Sequence, residues 1–322
     1  MNGSTERQNA NSRYLLYKKP ISKDNYKLEI DYEESPQESR RHEFLNQQKK
    51  NREAAFNSNR GILGEDYNSE EEDDMEIDVD KGKKNFAKYH RRYYDNYLML
   101  SEWMLEVPQD LTENWLVVPC PKGRRTLLVA RKGKTKAYAR RGKRLATFSS
   151  ALPGGSNGEY KSSCSIIDCI WVAEEKTYYV LDVLAWASQP FVNCDAEFRF
   201  FWLKSKLDQK EFQEKNLQSN NFPILALPRV PCNSDLCSFL ESLPPLPLDG
   251  ILFYHRQAHY THGRTPLVTW LKPFMLPEVL GISVPSSMDE KPNGYIDMRH
   301  FVNRNKTKKI MDDLMESTNE SL

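Results

Sequence analysis

No window of the 322-residue chain approaches the roughly 18 consecutive apolar residues that a membrane span requires, and the N-terminus has no apolar core of the signal-peptide kind. These absences predict a protein of the nucleo-cytoplasmic compartment with no membrane partner. Paired C-x-x-C spacing is missing as well. Cys120, Cys164, Cys169, Cys194, Cys232 and Cys237 are scattered, which argues against a zinc ribbon or a disulfide framework and for ordinary or buried thiols. Net charge is also nearly absent, at +1, but that average conceals an acidic run and a basic segment that do not overlap.

What is there divides the chain into three parts. Residues 1 to 88 are rich in Asn, Ser, Glu, Lys and Arg and poor in apolar side chains, a composition expected to stay disordered in isolation. Within it, residues 35 to 60 have helix-forming composition, with Ser35 and Pro36 as a start signal and basic pairs at Arg40-Arg41 and Lys49-Lys50, and read as a helix that forms on a partner. Residues 65 to 80 carry the acidic run Glu70-Glu71-Glu72-Asp73-Asp74, readable as a solvated spacer or as a shield for the basic segment downstream. Residues 89 to 285 form the expected folded domain, and 286 to 322 a polar tail that frays.

Inside the domain, Tyr93 to Leu105 reads as helical. Seven short β-branched or alternating runs follow: Trp115 to Val118, Thr126 to Arg131, Thr135 to Ala139, Ser165 to Val172, Tyr178 to Leu184, Ile251 to His255 and Leu267 to Leu271. Amphipathic helices are expected at Ala196 to Leu207 and Ser234 to Leu243. The fold class is therefore α+β, with mostly antiparallel sheets and flanking helices.

Three segments carry chemistry. Lys122 to Arg144 holds eleven Lys or Arg and no acid, threaded through two strands, which suits a polyphosphate or nucleic acid and equally an edge hairpin defended by charge. Six tryptophans are mostly core material, but Trp270 sits between Thr265-Pro266 and Lys272, beside polar surface, where its face offers stacking and cation–π attraction. The third segment, Asp249 to Lys272, is an Asp-Gly turn into a strand, a polar loop, and a strand ending in Trp and Lys. His255, His259 and His262 lie in it without a supporting thiolate or carboxylate, and read as loop contacts with no metal implied.

That third segment resembles the nucleotidyl transferase fold of RNA capping enzymes and DNA ligases, whose later motifs include an Asp-Gly strand and a Lys-Trp-Lys strand. Those enzymes form a phosphoramidate on the Lys of Lys-x-Asp-Gly, a step that needs an amine nucleophile. Here the position two before Asp249 is Pro247. The expectation is binding without turnover, no cofactor, and no catalytic residue; a transferase or cap-processing enzyme with a divergent active site is the alternative, and a nonspecific RNA binder a third reading.

The strings LMLSEWMLEVPQDL, WLVVPCPKGRRTLLVA, FSSALPGG, TYYVLDVLAW, FRFFWLKSKL and DGILFYHRQAHYTHGRTPLVTWLKP, in that order, resemble the snurportin family. The resemblance implies a binder of the 2,2,7-trimethylguanosine 5′ cap of spliceosomal small nuclear RNAs that acts as a nuclear import adaptor for their ribonucleoproteins, shuttling between nucleus and cytoplasm. It implies Trp270 stacked on the methylated guanine, Leu100 closing the other side, Ser101 and Trp103 at the base, Cys120 and Arg125 lining the site, and Arg140, where the family commonly has Lys, at the phosphates. It further implies an import receptor, importin-β or another importin, at residues 35 to 60, and a nuclear exportin served by Leu15, Leu16, Ile21, Leu28 and Ile30.

Overall fold

The computed structural model describes residues 37–59, 94, 97–156, 162–233, 235–244 and 246–305. The expected domain boundary at Lys88, the acidic run, the apolar N-terminal residues and the helix start at Ser35-Pro36 all lie outside them. No helix among the described residues is long and apolar enough to cross a membrane.

Two sheets organise the domain. The smaller has five strands in the order β1-β12-β11-β2-β10, from Met99–Trp103 (β1), Trp115–Pro121 (β2), Val230–Pro231 (β10), Leu248–His255 (β11) and Gly263–Leu271 (β12). The larger runs β5-β4-β3-β6-β7-β8, from Arg124–Arg131 (β3), Lys134–Ala139 (β4), Arg144–Phe148 (β5), Cys164–Val172 (β6), Thr177–Trp186 (β7) and Gln189–Pro190 (β8), with Ile224–Ala226 (β9) also paired to β7. Pairing is antiparallel except for β1 with β12 and β9 with β7. All seven strands read from the sequence are present, and the helix at Ala196–Leu207 (α3) has the expected bounds. Further helices are Gln37–Asn59 (α1), Leu111–Asn114 (α2), Lys210–Gln213 (α4), Leu236–Ser242 (α5) and Leu276–Leu280 (α6), and residues 298–305 are helical as well.

Alternation along the strands of the smaller sheet builds two cores, because successive side chains point to opposite faces. Leu116, Val118, Leu252, Tyr254 and Val268 belong to a cluster shared with Leu128, Ile167, Leu181 and Val183 of the larger sheet. Trp115, Val117, Ile251, Phe253 and Leu271 face the other way, into a cluster closed by Leu236 and Leu240 of α5, Met275, Leu276 and Leu280. Met298 and Val302 complete this second core, with Phe301 against it.

Three expectations change. The stretch read as helical at Tyr93 to Leu105 contains β1, a strand: its local composition suits either state, and parallel pairing with β12 decides for the extended one. The domain does not stop at 285, since residues 298–305 are helical and place Met298, Phe301 and Val302 on one face at i, i+3 and i+4. And α1 lies on the chain's own domain. Arg41 is 3% exposed, donates to Gln37 Oε1 and the Glu106 carbonyl, and sits 5.5 Å from the Trp115 ring centroid. Arg40 grips both carboxylate oxygens of Glu102 at 2.6 and 2.8 Å, and Arg52 reaches Asp195. Ion pairs and hydrogen bonds hold the helix, together with Phe44 and Leu45, which pack against the first core.

Candidate nucleotide-binding site

Trp270 is half-buried on β12, beside Leu252 of β11 in register. Its indole lies across the backbone of Gly250: a Cβ at that position would stand 2.3 Å from Cζ2 and 2.5 Å from Cη2. Real carbon contacts settle near 3.5–4.0 Å, so only a residue without a side chain lets the ring rest there. Gly250 is paired in turn with Cys120 of β2, which brings Cys120 beside the indole's seat. Burial pushes the Cys120 thiol up to about 12, so it is a neutral wall and not a nucleophile. Lys272 places its ammonium 5.5 Å from the Trp270 ring centroid and bonds Asp249 Oδ1 at 2.6 Å. One cation therefore already lies over this indole.

A network of buried polar groups fixes β1 against the rest. Arg125 Nε and Nη2 donate to Asp168 at 2.9 and 2.6 Å, and Nη2 also donates to the Met99 carbonyl at 2.8 Å. The Met99 N–H donates to Tyr260 Oη, whose hydroxyl donates to Asp168. Both backbone groups of Met99 are thus held, which sets the position of Leu100 and Ser101 next in the chain. Burial alone would lower the Arg125 guanidinium, but the Asp168 carboxylate more than reverses this and raises it. With Nε and Nη2 committed, Arg125 positions β1; Nη1 is the nitrogen left for a ligand.

Asp168 and Tyr260 escaped the sequence reading. The available signal was an acid inside an apolar run, Ile166-Ile167-Asp168-Cys169-Ile170. The same signal marks Asp182 in β7, which stands opposite Asp168 in register and is held bidentately by the fully buried Arg199. Each buried carboxylate has its own arginine, as the cost of burying a lone charge requires.

Cys120 lies beside the Trp270 seat through Gly250, and Arg125 reaches β1 at Met99, next in the chain to Leu100 and Ser101, while the Trp103 side chain packs toward the second core. The register of β1 jumps from Ser101↔Thr265 to Glu102↔Thr269, an irregularity that re-aims the strand. Trp103 is in register with Trp270, yet its ring meets Phe301 edge-on at 6.1 Å and packs with the second core. Arg140 is exposed just beyond β4, and its guanidinium is lowered by burial and then by the neighbouring charges of Arg264, Arg125 and Arg141. The basic segment forms β3, β4 and the start of the edge strand β5, with Arg124, Arg131, Lys134 and Arg144 exposed. The three histidines diverge: His255 packs edge-on to Trp115, His259 meets Arg52 and Asp195, and His262 meets the Tyr97 carbonyl. No group of three His, Cys, Asp or Glu among the described residues is placed to hold a metal.

Among solved structures the chain is similar to a mycobacterial DNA ligase D complexed with ATP and MES, at 14% identity and a TM-score of 0.37, covering 54% of this chain and 58% of that one. The ligase domain of M. tuberculosis LigD is similar at 13% identity and a TM-score of 0.36, with the same coverage. The chain thus spans little more than half the length of these ligase chains. Residues 97–273 match the family described as Snurportin1, m3G cap-binding domain, a span that contains both sheets and every candidate cap-site residue. With more than half of its sequence inside that match, the chain belongs to the snurportin m3G cap-binding domain family.

Proposed function

We propose that this protein binds the 2,2,7-trimethylguanosine 5′ cap of spliceosomal small nuclear RNAs and carries their ribonucleoproteins into the nucleus as an import adaptor, without turning the cap over. The observation that carries the reading is the Trp270 indole seated over Gly250 within the matched span. Methylation at N7 leaves guanine cationic, so a tryptophan face gains cation–π attraction as well as stacking, together worth about 1–3 kcal/mol. Leu100 on β1 closes the other side of the stack, with Ser101 at the base edge and Arg140 at the phosphates. Trp103, paired in register with Trp270, adds to the base contacts. The two N2 methyl groups remove hydrogen-bond donors and add apolar surface, which favours a site that aims no carboxylate at N2; a monomethylated cap leaves its donors poorly paired there.

Binding rather than nucleotidyl transfer is favoured because Pro247 replaces the nucleophilic lysine before Asp249-Gly250, and the nearby amine, Lys272, is engaged by Asp249. For import, α1 supplies the receptor-binding element, recognised by importin-β or a related importin. Lys49 and Lys50 are already exposed, whereas Arg40 and Arg41 become available on undocking. A nuclear exportin returns the protein, which shuttles between the two compartments. The test is a titration of the full chain and Trp270→Ala with trimethylated and monomethylated cap analogues. Tighter binding of the trimethylated analogue, lost in the variant, is expected; equal affinities for the two analogues sink the assignment.

A further inference from the structure

Arg264 stands directly across from Leu100 in the β1–β12 register, one residue after the Gly263↔Met99 pair. From the other sheet, Arg140 follows Ala139, which pairs with Thr126 next to Arg125, and Arg125 itself reaches across to the Met99 carbonyl. Two arginines carried by different sheets therefore belong to elements that border the same end of β1. Their proximity is felt: after burial, Arg264 is the strongest influence lowering Arg140.

The acids that would neutralise such a pair are committed elsewhere. Asp168 is fully buried and shared between Arg125 and Tyr260. Glu102, the carboxylate that feels Arg264, is held bidentately by Arg40 and also accepts from Gln37. Neither the Arg140 nor the Arg264 side chain makes a hydrogen bond or ion pair among the described residues. Two like charges held close without a counter-ion disfavour the apo state, and an anion placed between them reverses that repulsion. Planar guanidinium forks match phosphate oxygens in pairs, and a phosphate chain carries several negative charges in a row, which a single carboxylate does not.

We infer that Arg264, together with Arg140, forms an anion subsite at the Leu100 end of the pocket that takes the phosphate chain joining the cap to the RNA. This rests on the cap-binding reading for the identity of the chain, but the subsite is testable without it. Arg264 belongs to the loop-proximal end of β12, so the subsite is divided between the two sheets.

The experiment titrates the full chain, Arg264→Gln, Arg264→Lys and the control Lys204→Gln with three probes: trimethylguanosine nucleoside, the trimethylated cap dinucleotide with its triphosphate bridge, and inorganic tripolyphosphate. Arg264→Gln is expected to leave the nucleoside unchanged, to weaken the dinucleotide and tripolyphosphate about three- to tenfold, and to reduce the slope of log affinity against log salt by about one. Arg264→Lys keeps the slope but loses part of the affinity, and Lys204→Gln on α3 changes neither. Unchanged dinucleotide affinity and salt slope in Arg264→Gln overturn the subsite even if the nucleoside binds well. If the wild-type chain binds tripolyphosphate in an Arg264-dependent manner but shows no preference for trimethylated guanine, the subsite stands and the cap-binding reading fails. Because Arg264 is exposed, the variant's unfolding midpoint should match wild type, which separates lost binding from lost fold.

Discussion

Replacing Gly250 with alanine adds one methyl group at the point where the Trp270 indole rests. The new Cβ would stand 2.3, 2.5 and 2.7 Å from Cζ2, Cη2 and Cε2, against an ordinary contact near 3.5–4.0 Å. The ring must retreat by roughly 1 Å or more, since the methyl stands on the backbone of a central strand and cannot yield. Such overpacking costs about 1–3 kcal/mol of stability. The displaced indole also loses its alignment with a stacked base, an interaction of about 1–3 kcal/mol, so cap affinity should fall roughly 5- to 150-fold. Urea denaturation measures the first quantity, and indole fluorescence during titration with trimethylated cap analogue the second. The cycle with Trp270→Leu then isolates the contact: in the Trp270→Leu background, with no ring to displace, Gly250→Ala should cost far less, giving a coupling of about 1 kcal/mol or more. Unchanged stability and affinity in Gly250→Ala, or strict additivity in the cycle, refute the seating of Trp270 over Gly250 and with it the geometry of the pocket.

The buried pair Asp182–Arg199, both side chains at 0% exposure, predicts a loss of about 3–5 kcal/mol for Asp182→Asn in urea denaturation, because a buried guanidinium loses its counter-charge; replacing both partners by apolar residues of similar volume should cost much less. A loss under about 1 kcal/mol in the single variant would contradict the pairing. For Cys120, burial raises the thiol to about 12, well above the roughly 8.5 of an unfolded thiol. Its neutral form is favoured by folding, so this contribution is whole below about pH 8.5 and is lost as pH rises toward 12. At pH 8, iodoacetamide labelling followed by mass spectrometry should modify Cys120 much more slowly than the half-buried Cys237, and equal rates would show the Cys120 wall to be open.

Much of the secondary structure was legible because hydrophobic period and turn residues act locally. The β-branched runs of β6 and β7 are strands in any context that buries them, and the amphipathic pattern of Ala196–Leu207 needs no partner to be recognised. Tyr93 to Leu105 is ambiguous by itself because its apolar residues fit either period, and the choice depends on β12, more than 150 residues away in sequence. Residues 298–305 resemble a tail because three apolar side chains among polar ones give a weak local signal. Their burial depends on a core surface assembled by α5, α6 and the smaller sheet.

The site divides along the same line. Sequence alone determined that the covalent lysine of a nucleotidyl transferase is missing, that positive charge is concentrated between Lys122 and Arg144, and that Trp270 stands next to polar surface. These are properties of residue type and order. Only the tertiary structure decided that Gly250 seats the indole, that Asp168 and Tyr260 hold β1 through Arg125, that Trp103 turns to Phe301, that α1 engages Glu102, and that Arg264 stands across from Leu100. Periodicity states which face of a strand is buried but not which strand lies opposite, and the partners of a charged side chain follow from that register rather than from its neighbours in the chain.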